Sequence, residues 1–144
     1  MIKRFAKTAL IYAIVAMVLG VFYREFTKGM EFAGKTNLSV LHTHYLMLGM
    51  IFFVLLAVLE KTFSFSNKNT FKVEIMYHIG LNLSGTMLLT RGIVQVLEPT
   101  GISKGMDAMI SGIAGIGHII LGVSILTFLI QWIKSLKKEN ITNE

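Results

Sequence analysis

Four stretches of the chain are apolar almost without interruption, and short polar stretches separate them. The apolar runs cover roughly Thr8–Tyr23, Leu38–Leu59, Val73–Leu97 and Ala108–Ile133. A helix that crosses about 30 Å of hydrocarbon needs about 20 mainly apolar residues. Each run therefore predicts a transmembrane helix, the first one short enough to require tilt or local thinning of the bilayer. The separators contain Lys28-Gly29, Ser66-Asn67-Lys68-Asn69 and Pro99-Thr100-Gly101, all turn-forming sequences. The pattern predicts an all-α protein, an integral membrane four-helix bundle running up-down-up-down, with residues 1–144 as a single domain. Leu48-Gly49-Met50 in the second run matches Leu121-Gly122-Val123 in the fourth. This match raises the expectation of two parallel repeats related by an axis along the membrane normal.

Composition narrows the picture. Of 144 residues, 53% are hydrophobic and 15% charged, too much apolar surface for a soluble domain of this size to hide. No cysteine is present, which excludes disulfides, iron–sulfur clusters, thiolate zinc sites and thiol catalysis. The net charge of +6 does not point to nucleic acid, because most basic residues flank the apolar runs. Lys3, Arg4, Lys7, Lys61, Lys68, Lys72, Lys134, Lys137 and Lys138 fall on one side, and Arg24, Lys28, Lys35 and Lys104 on the other. The excess places the first group, and both termini, in the cytoplasm of a bacterium whose inner membrane holds the protein. Lys3 and Arg4 before an apolar run also resemble a signal peptide, but no clear small-x-small cleavage site follows.

Ionisable side chains inside a span are costly and mark function by default. Five occur here: His42, His44, His78, Arg91 and His118. Counting from the basic ends of the helices, His44 and His118 both lie about 24 Å above the inner boundary. The same count from Glu74 puts Arg91 at about 25 Å and His78 at only about 6 Å. A haem takes axial imidazoles from opposite sides of a flat ring, and the second and fourth helices of such a bundle lie diagonally. Ser111, Gly115, His118 and Gly122 share one helix face, so small residues stand above and below the histidine. Small residues also pack membrane helices, which is the plainer reading of Gly115 and Gly122. Arg91 suits a haem propionate through its planar fork, or else snorkels to the surface.

His42 and His44 point about 160° apart on one helix and cannot address the same small metal ion. Depth favours His44 as the haem ligand, whereas His42 shares a stripe with Gly49; the reading taken is His44 with His118. His42 and His78 are the candidates for a second site, although a lone membrane histidine such as His78 is more often a core residue bonded to a neighbour, here Asn82. The third helix is polar on two sides. His78, Asn82, Gly85 and Gly92 line one face, and Gly80, Ser84, Arg91 and Gln95 the other. This predicts a second buried site or an oligomer interface. Met30, Met47, Met50, Met106 and Met109 suit copper(I), but methionine is also ordinary core filler, and copper is the weaker expectation.

The run Leu41-His42-Thr43-His44-Tyr45-Leu46-Met47-Leu48-Gly49, the pair Arg91-Gly92 and the run Gly115-Ile116-Gly117-His118 resemble a bacterial family of small four-helix membrane proteins. That family, domain-of-unknown-function family 2871, implies no activity; the resemblance covers nearly the whole chain. The His-x-His pair is also similar to the helix of the haem–copper oxidase and nitric-oxide reductase catalytic subunit, where two histidines bind two haems on opposite faces. This chain is far too short for that subunit and lacks a three-histidine set for copper, so oxygen or nitric-oxide reduction is not implied.

Three functions follow as expectations. The first is a b-type haem protein that carries electrons or senses gas or haem. The second is a small oligomeric transporter or channel for a metal ion or solute. The third is a non-catalytic assembly subunit of a respiratory complex. No nucleotide loop, Ser–His–Asp set or intramembrane carboxylate pair points to an enzyme.

Overall fold

The computed structural model describes residues 1–98 and 101–142, the last six of them as helix backbone only. Four helical rods fill it: α1 (Ile2–Gly29), α2 (residues 38–63), α3 (Thr70–Leu97) and α4 (Lys104–Thr142). No strand occurs among the described residues. Every rod is longer than its apolar run. Lys3, Arg4 and Lys7 at one end of α1 and Arg24 to Lys28 at the other continue the helix, since Lys and Arg are good helix formers. At 28 residues α1 reaches about 42 Å, so no thinning of the bilayer is needed. Three rods, α1, α2 and α4, are long and apolar enough to cross a membrane. The fourth, α3, has the length at 28 residues but carries the most polar side chains.

α2 is not uniform. Its middle, Tyr45–Ile51, is a π-helix between α-helical Leu38–His44 and Phe52–Phe63. A π stretch is wider than an α-helix and frees backbone carbonyls from the regular ladder. Within this segment Leu48 O accepts a 2.6 Å bond from the Tyr77 hydroxyl of α3. The rod ends on Ser64, whose φ of 46° is the left-handed C-cap that stops a helix. Pro99 and Thr100, the expected turn before α4, lie outside the described residues; the adjoining Gly101 has a φ of +97°.

Contacts fix the packing. Tyr12 of α1 meets Gly49 of α2, and Gly20 meets His42, so these two rods run antiparallel. α3 and α4 also run antiparallel: Thr70 donates to Gln131 at 2.8 Å, Gly80 abuts Leu121, Ser84 abuts Gly117, and Arg91 meets Ser111. Along the α3–α4 seam the two backbones come into direct contact. A Cβ on Gly80 would stand 2.6 Å from the backbone nitrogen of Leu121, and one on Gly117 2.8 Å from that of Ser84. Small residues at a membrane helix crossing allow this approach. At the Arg4 end, Phe5, Phe53, Phe65, Phe128 and Tyr77 form a buried aromatic core that draws all four rods together.

α3 lies between α2 and α4, and its two-sided pattern matches these neighbours. Gly85 lies against Tyr45 and Gly92 against Leu38, both on α2. Gly80, Ser84 and Arg91 turn to α4. Gln95 is the exception, since its Oε1 accepts from the backbone of Asn37 at 2.7 Å, at the start of α2. The paired glycines of the expected repeat have unlike surroundings: Gly49 is pressed on Tyr12, while Gly122 faces open space.

Candidate functional site

The His-x-His pair behaves as helix geometry dictates. His42 faces α1, where it packs on Gly20. His44 faces α4, where its ring meets that of His118 with centroids 5.8 Å apart and planes inclined by 63°. Both α2 histidines keep a buried ring nitrogen without a hydrogen-bond partner, Nδ1 in His42 and Nε2 in His44. A buried polar atom left without a partner is costly and calls for an explanation. Lipid makes the cost larger, because no water competes there.

His118 is held differently. Its Nδ1 lies 2.7 Å from the Ala114 carbonyl, one turn earlier on α4. A carbonyl can only accept, so Nδ1 carries a proton, and in the neutral ring Nε2 is the bare nitrogen. Gly115 and Gly122, one turn to either side on the same face, would put a Cβ within 4 Å of nothing. Gly117, on the opposite face, is the packing glycine. The small residues flanking His118 therefore leave space rather than close a helix crossing.

Arg91 does not share the level of the two histidines. It lies seven residues beyond Ser84, the α3 neighbour of Gly117, hence about 10 Å further along the bundle. Counting from Glu74 misplaced it because Glu74 is not at a boundary: it is buried, with 1% of its side chain exposed. Arg91 does not stand free. Its Nη2 bonds Asp107 Oδ1 at 2.7 Å, the Asp107 carbonyl at 3.1 Å and Ser111 Oγ at 2.7 Å, tying α3 to the start of α4. Among the described residues, its other guanidinium donors make no hydrogen bond.

His78 belongs to a separate polar cluster. Its Nδ1 lies 2.7 Å from the Tyr12 hydroxyl, and Asn82 Nδ2 donates to that hydroxyl at 3.0 Å and to the His78 carbonyl at 2.8 Å. The Tyr45 hydroxyl donates to Asn82 Oδ1 at 3.3 Å. On the other side, His78 Nε2 stands 3.7 Å from Glu74 Oε1, which also accepts from Arg4 Nε at 3.1 Å. Arg4 Nη2 approaches Glu74 Oε2 to 2.8 Å, yet that oxygen makes no well-angled hydrogen bond, so charge rather than hydrogen bonding holds it. His42 and His78 do not form one site. They lie on opposite sides of the Tyr45–Asn82 contact, roughly 10 Å apart along the bundle. Asn82 is a partner of His78 through its backbone and through Tyr12, not through the ring.

Sequence reasoning missed Glu74, Tyr12 and Tyr45. A signal for the first was present, since Glu74, His78 and Asn82 recur every four residues on one face of α3. Among the described residues, no group of three or more His, Asp or Glu is close enough to hold a metal ion. The site's distinctive feature is two imidazoles from different helices, each with an unengaged nitrogen.

No curated protein and no solved structure matches the chain. Residues 2–135 match the family model described as protein of unknown function (DUF2871), and the chain belongs to that family.

Proposed function

We propose that the protein binds one b-type haem between His44 of α2 and His118 of α4 and carries electrons within a bacterial inner membrane. The observation that carries this reading is the 5.8 Å spacing of the two rings. Two imidazoles on opposite sides of one metal ion, each bound at about 2.0–2.1 Å, have centroids roughly 6 Å apart. The further support is chemical. The Ala114 carbonyl fixes the His118 tautomer that presents Nε2, a recurring device for metal-bound imidazoles. The lone Nε2 of His44 would gain its missing partner. Gly115 and Gly122 would leave room for a flat ring beside His118. Arg91, about 10 Å away, would offer its remaining donors to a propionate.

Bound haem would supply a one-electron couple tuned by its two axial imidazoles. Held by two imidazoles of the chain, the haem would offer no position to a gas, which favours electron transfer over gas sensing. All four rods, α3 included, would span the membrane with both termini in the cytoplasm, as the basic residues direct. His118, Gly112 and Gly115 are exposed, so a partner subunit of a respiratory complex or a second copy of the chain would close the outer side of this site.

The test is the absorption spectrum of protein purified after haem-replete expression. A Soret band that shifts on reduction is expected, lost in His44→Ala and in His118→Ala but kept in His42→Ala. Colourless wild-type protein would overturn the reading and move transport or assembly ahead of it.

A further inference from the structure

The hairpin of α1 and α2 carries an open groove, remote from the histidine pair. Alanines line it: Ala6, Ala9 and Ala13 from α1 and Ala57 from α2. Leu10 of α1 and Val54 and Val58 of α2 stand along it, all three well exposed. An alanine side chain stops at Cβ, so a run of alanines between longer side chains leaves a trough. The trough has two ends. Tyr12 meets Gly49 and Gly20 meets His42, which brings Ile2 level with Leu59. Ile2 and Lys61 therefore line one end, and Ala13 and Met50 the other. Eleven residues of α1 separate the ends, about 16 Å at the rise of an α-helix. That is close to the depth of one leaflet, half of about 30 Å of hydrocarbon.

Size and charge together select the occupant. The groove encloses about 420 Å³. Spread over about 16 Å, that volume makes a trough about 5 Å wide. A helix, about 10–12 Å across with its side chains, is too broad to enter it. A single polymethylene chain enters, because its carbons need only about 3.5–4.0 Å to each neighbour. The Ile2 end is positive. Lys61 lies one turn beyond Ala57 on the groove stripe, and Lys3 follows Ile2. Among the described residues neither lysine has an ion-pair partner. Glu60, beside Lys61, accepts from the backbone N–H of Ser66 at 2.9 Å. Arg4 turns away to Glu74 on α3. An apolar trough of leaflet depth thus ends at uncompensated positive charge, and its complement is an apolar chain that ends in an anion.

We propose that this groove holds one acyl chain of an anionic phospholipid, with the lipid phosphate at Lys61 and Lys3. Within a bilayer no hydrophobic force drives the chain in, because lipid is as apolar as the groove. Shape and charge do the selecting. A chain in the trough gains dispersion contacts along its length that a chain on a flat helix face does not. Lysine suits the headgroup end, since its ammonium is a compact charge on a flexible stem that can follow a phosphate. The stem itself extends the apolar wall. A zwitterionic headgroup would bring its own cation to the two lysines, so a net anionic one is preferred. Basic residues beside a membrane concentrate anionic lipid in any case; the groove adds a seat for the chain, and so retains one molecule. The site rests on α1 and α2 crossing the bilayer, for which both have the length and apolarity. It requires neither the haem nor a particular sidedness.

The experiment titrates full-length protein in detergent micelles with phosphatidylglycerol or with phosphatidylcholine of the same acyl chains, and counts bound lipid by native mass spectrometry. Wild-type protein retains one phosphatidylglycerol, about fivefold or more tightly than phosphatidylcholine. Lys61→Gln lowers that preference about threefold or more. Lys134→Gln, the same charge change at the same end of the bundle but on α4, leaves it unchanged. Ala6→Phe sets a ring in the trough and weakens retention of both lipids about fivefold or more. Three results overturn the proposal: no headgroup preference in wild type, equal effects of the two lysine substitutions, or undiminished retention in Ala6→Phe. A wild-type dimer that Ala6→Phe converts to monomers also overturns it, because a second copy of the chain then fills the groove. If Ala6→Phe fails to fold, the comparison of Lys61→Gln with Lys134→Gln, both at exposed positions, decides alone.

Discussion

Replacing Gly80 by alanine tests whether the backbone contact between α3 and α4 sets the register of the bundle. The added Cβ would meet Leu121 N at 2.6 Å and both Gly117 O and Leu121 Cα at 2.9 Å, all of them backbone atoms that no rotamer change can move. Ordinary contact begins at 3.4 Å, so from 2.6 Å the rods must part by about 0.8 Å at this point. Forcing an extra methyl into a packed seam costs about 1–3 kcal/mol. Alanine is the better helix former by up to about 1 kcal/mol, which offsets part of that loss. A net destabilisation of about 1–2 kcal/mol is expected, read as the midpoint of unfolding in a mixed-micelle denaturant titration. Gly112→Ala is the matched control, because a Cβ there meets nothing within 4 Å. It should be neutral or stabilising by up to about 1 kcal/mol. Equal effects of the two substitutions would refute the claim that Gly80 is a contact glycine.

Three further outcomes are expected. Tyr77→Phe leaves the Leu48 carbonyl of the π segment without its 2.6 Å donor and should destabilise the protein by about 1–3 kcal/mol in the same titration, whereas no change would mean the carbonyl finds another partner. Arg91→Leu should cost no more than about 1 kcal/mol, because Asp107 is 56% exposed and screened, yet under the proposed haem binding it should release haem faster than Arg91→Lys; equal retention in wild type and both variants would remove Arg91 from the proposed site. Reporter fusions at Asn67 should read cytoplasmic and fusions at Gly34 and Gly101 external, and a cytoplasmic reading at Gly101 would reverse the proposed topology.

The residues that were legible in the sequence were those governed by one helix at a time. Apolar run length gave the rods, and the step of about 100° per residue separated His42 from His44 onto different neighbours. Facing of His44 and His118 also came through, because both helices end in basic residues at comparable distances. What failed was everything that depends on how one helix slides against another. Arg91 was misplaced because Glu74 was taken as a surface marker. Its burial depends on Arg4, seventy residues away in the chain, which no local pattern displays. Tyr12 and Tyr45 gave no signal for the same reason: a hydroxyl becomes informative only when its partner's helix is known. The π segment left no trace in residue types, since Tyr45–Ile51 reads as an ordinary apolar helix.

The central position of α3 has a consequence for biogenesis. A helix bearing Glu74, His78, Asn82 and Arg91 partitions poorly into lipid by itself. If α3 crosses the bilayer as proposed, it needs company on arrival. The hairpin of α1 and α2 is synthesised first and presents Arg4, Tyr12 and Tyr45, which already match the polar side chains of one α3 face. Its other face stays incomplete until α4 brings Asp107 and the backbone around Gly117. Insertion of α3 should therefore depend on both flanking segments. A chain truncated after residue 98 would expose one polar flank to lipid and become a substrate for membrane quality control.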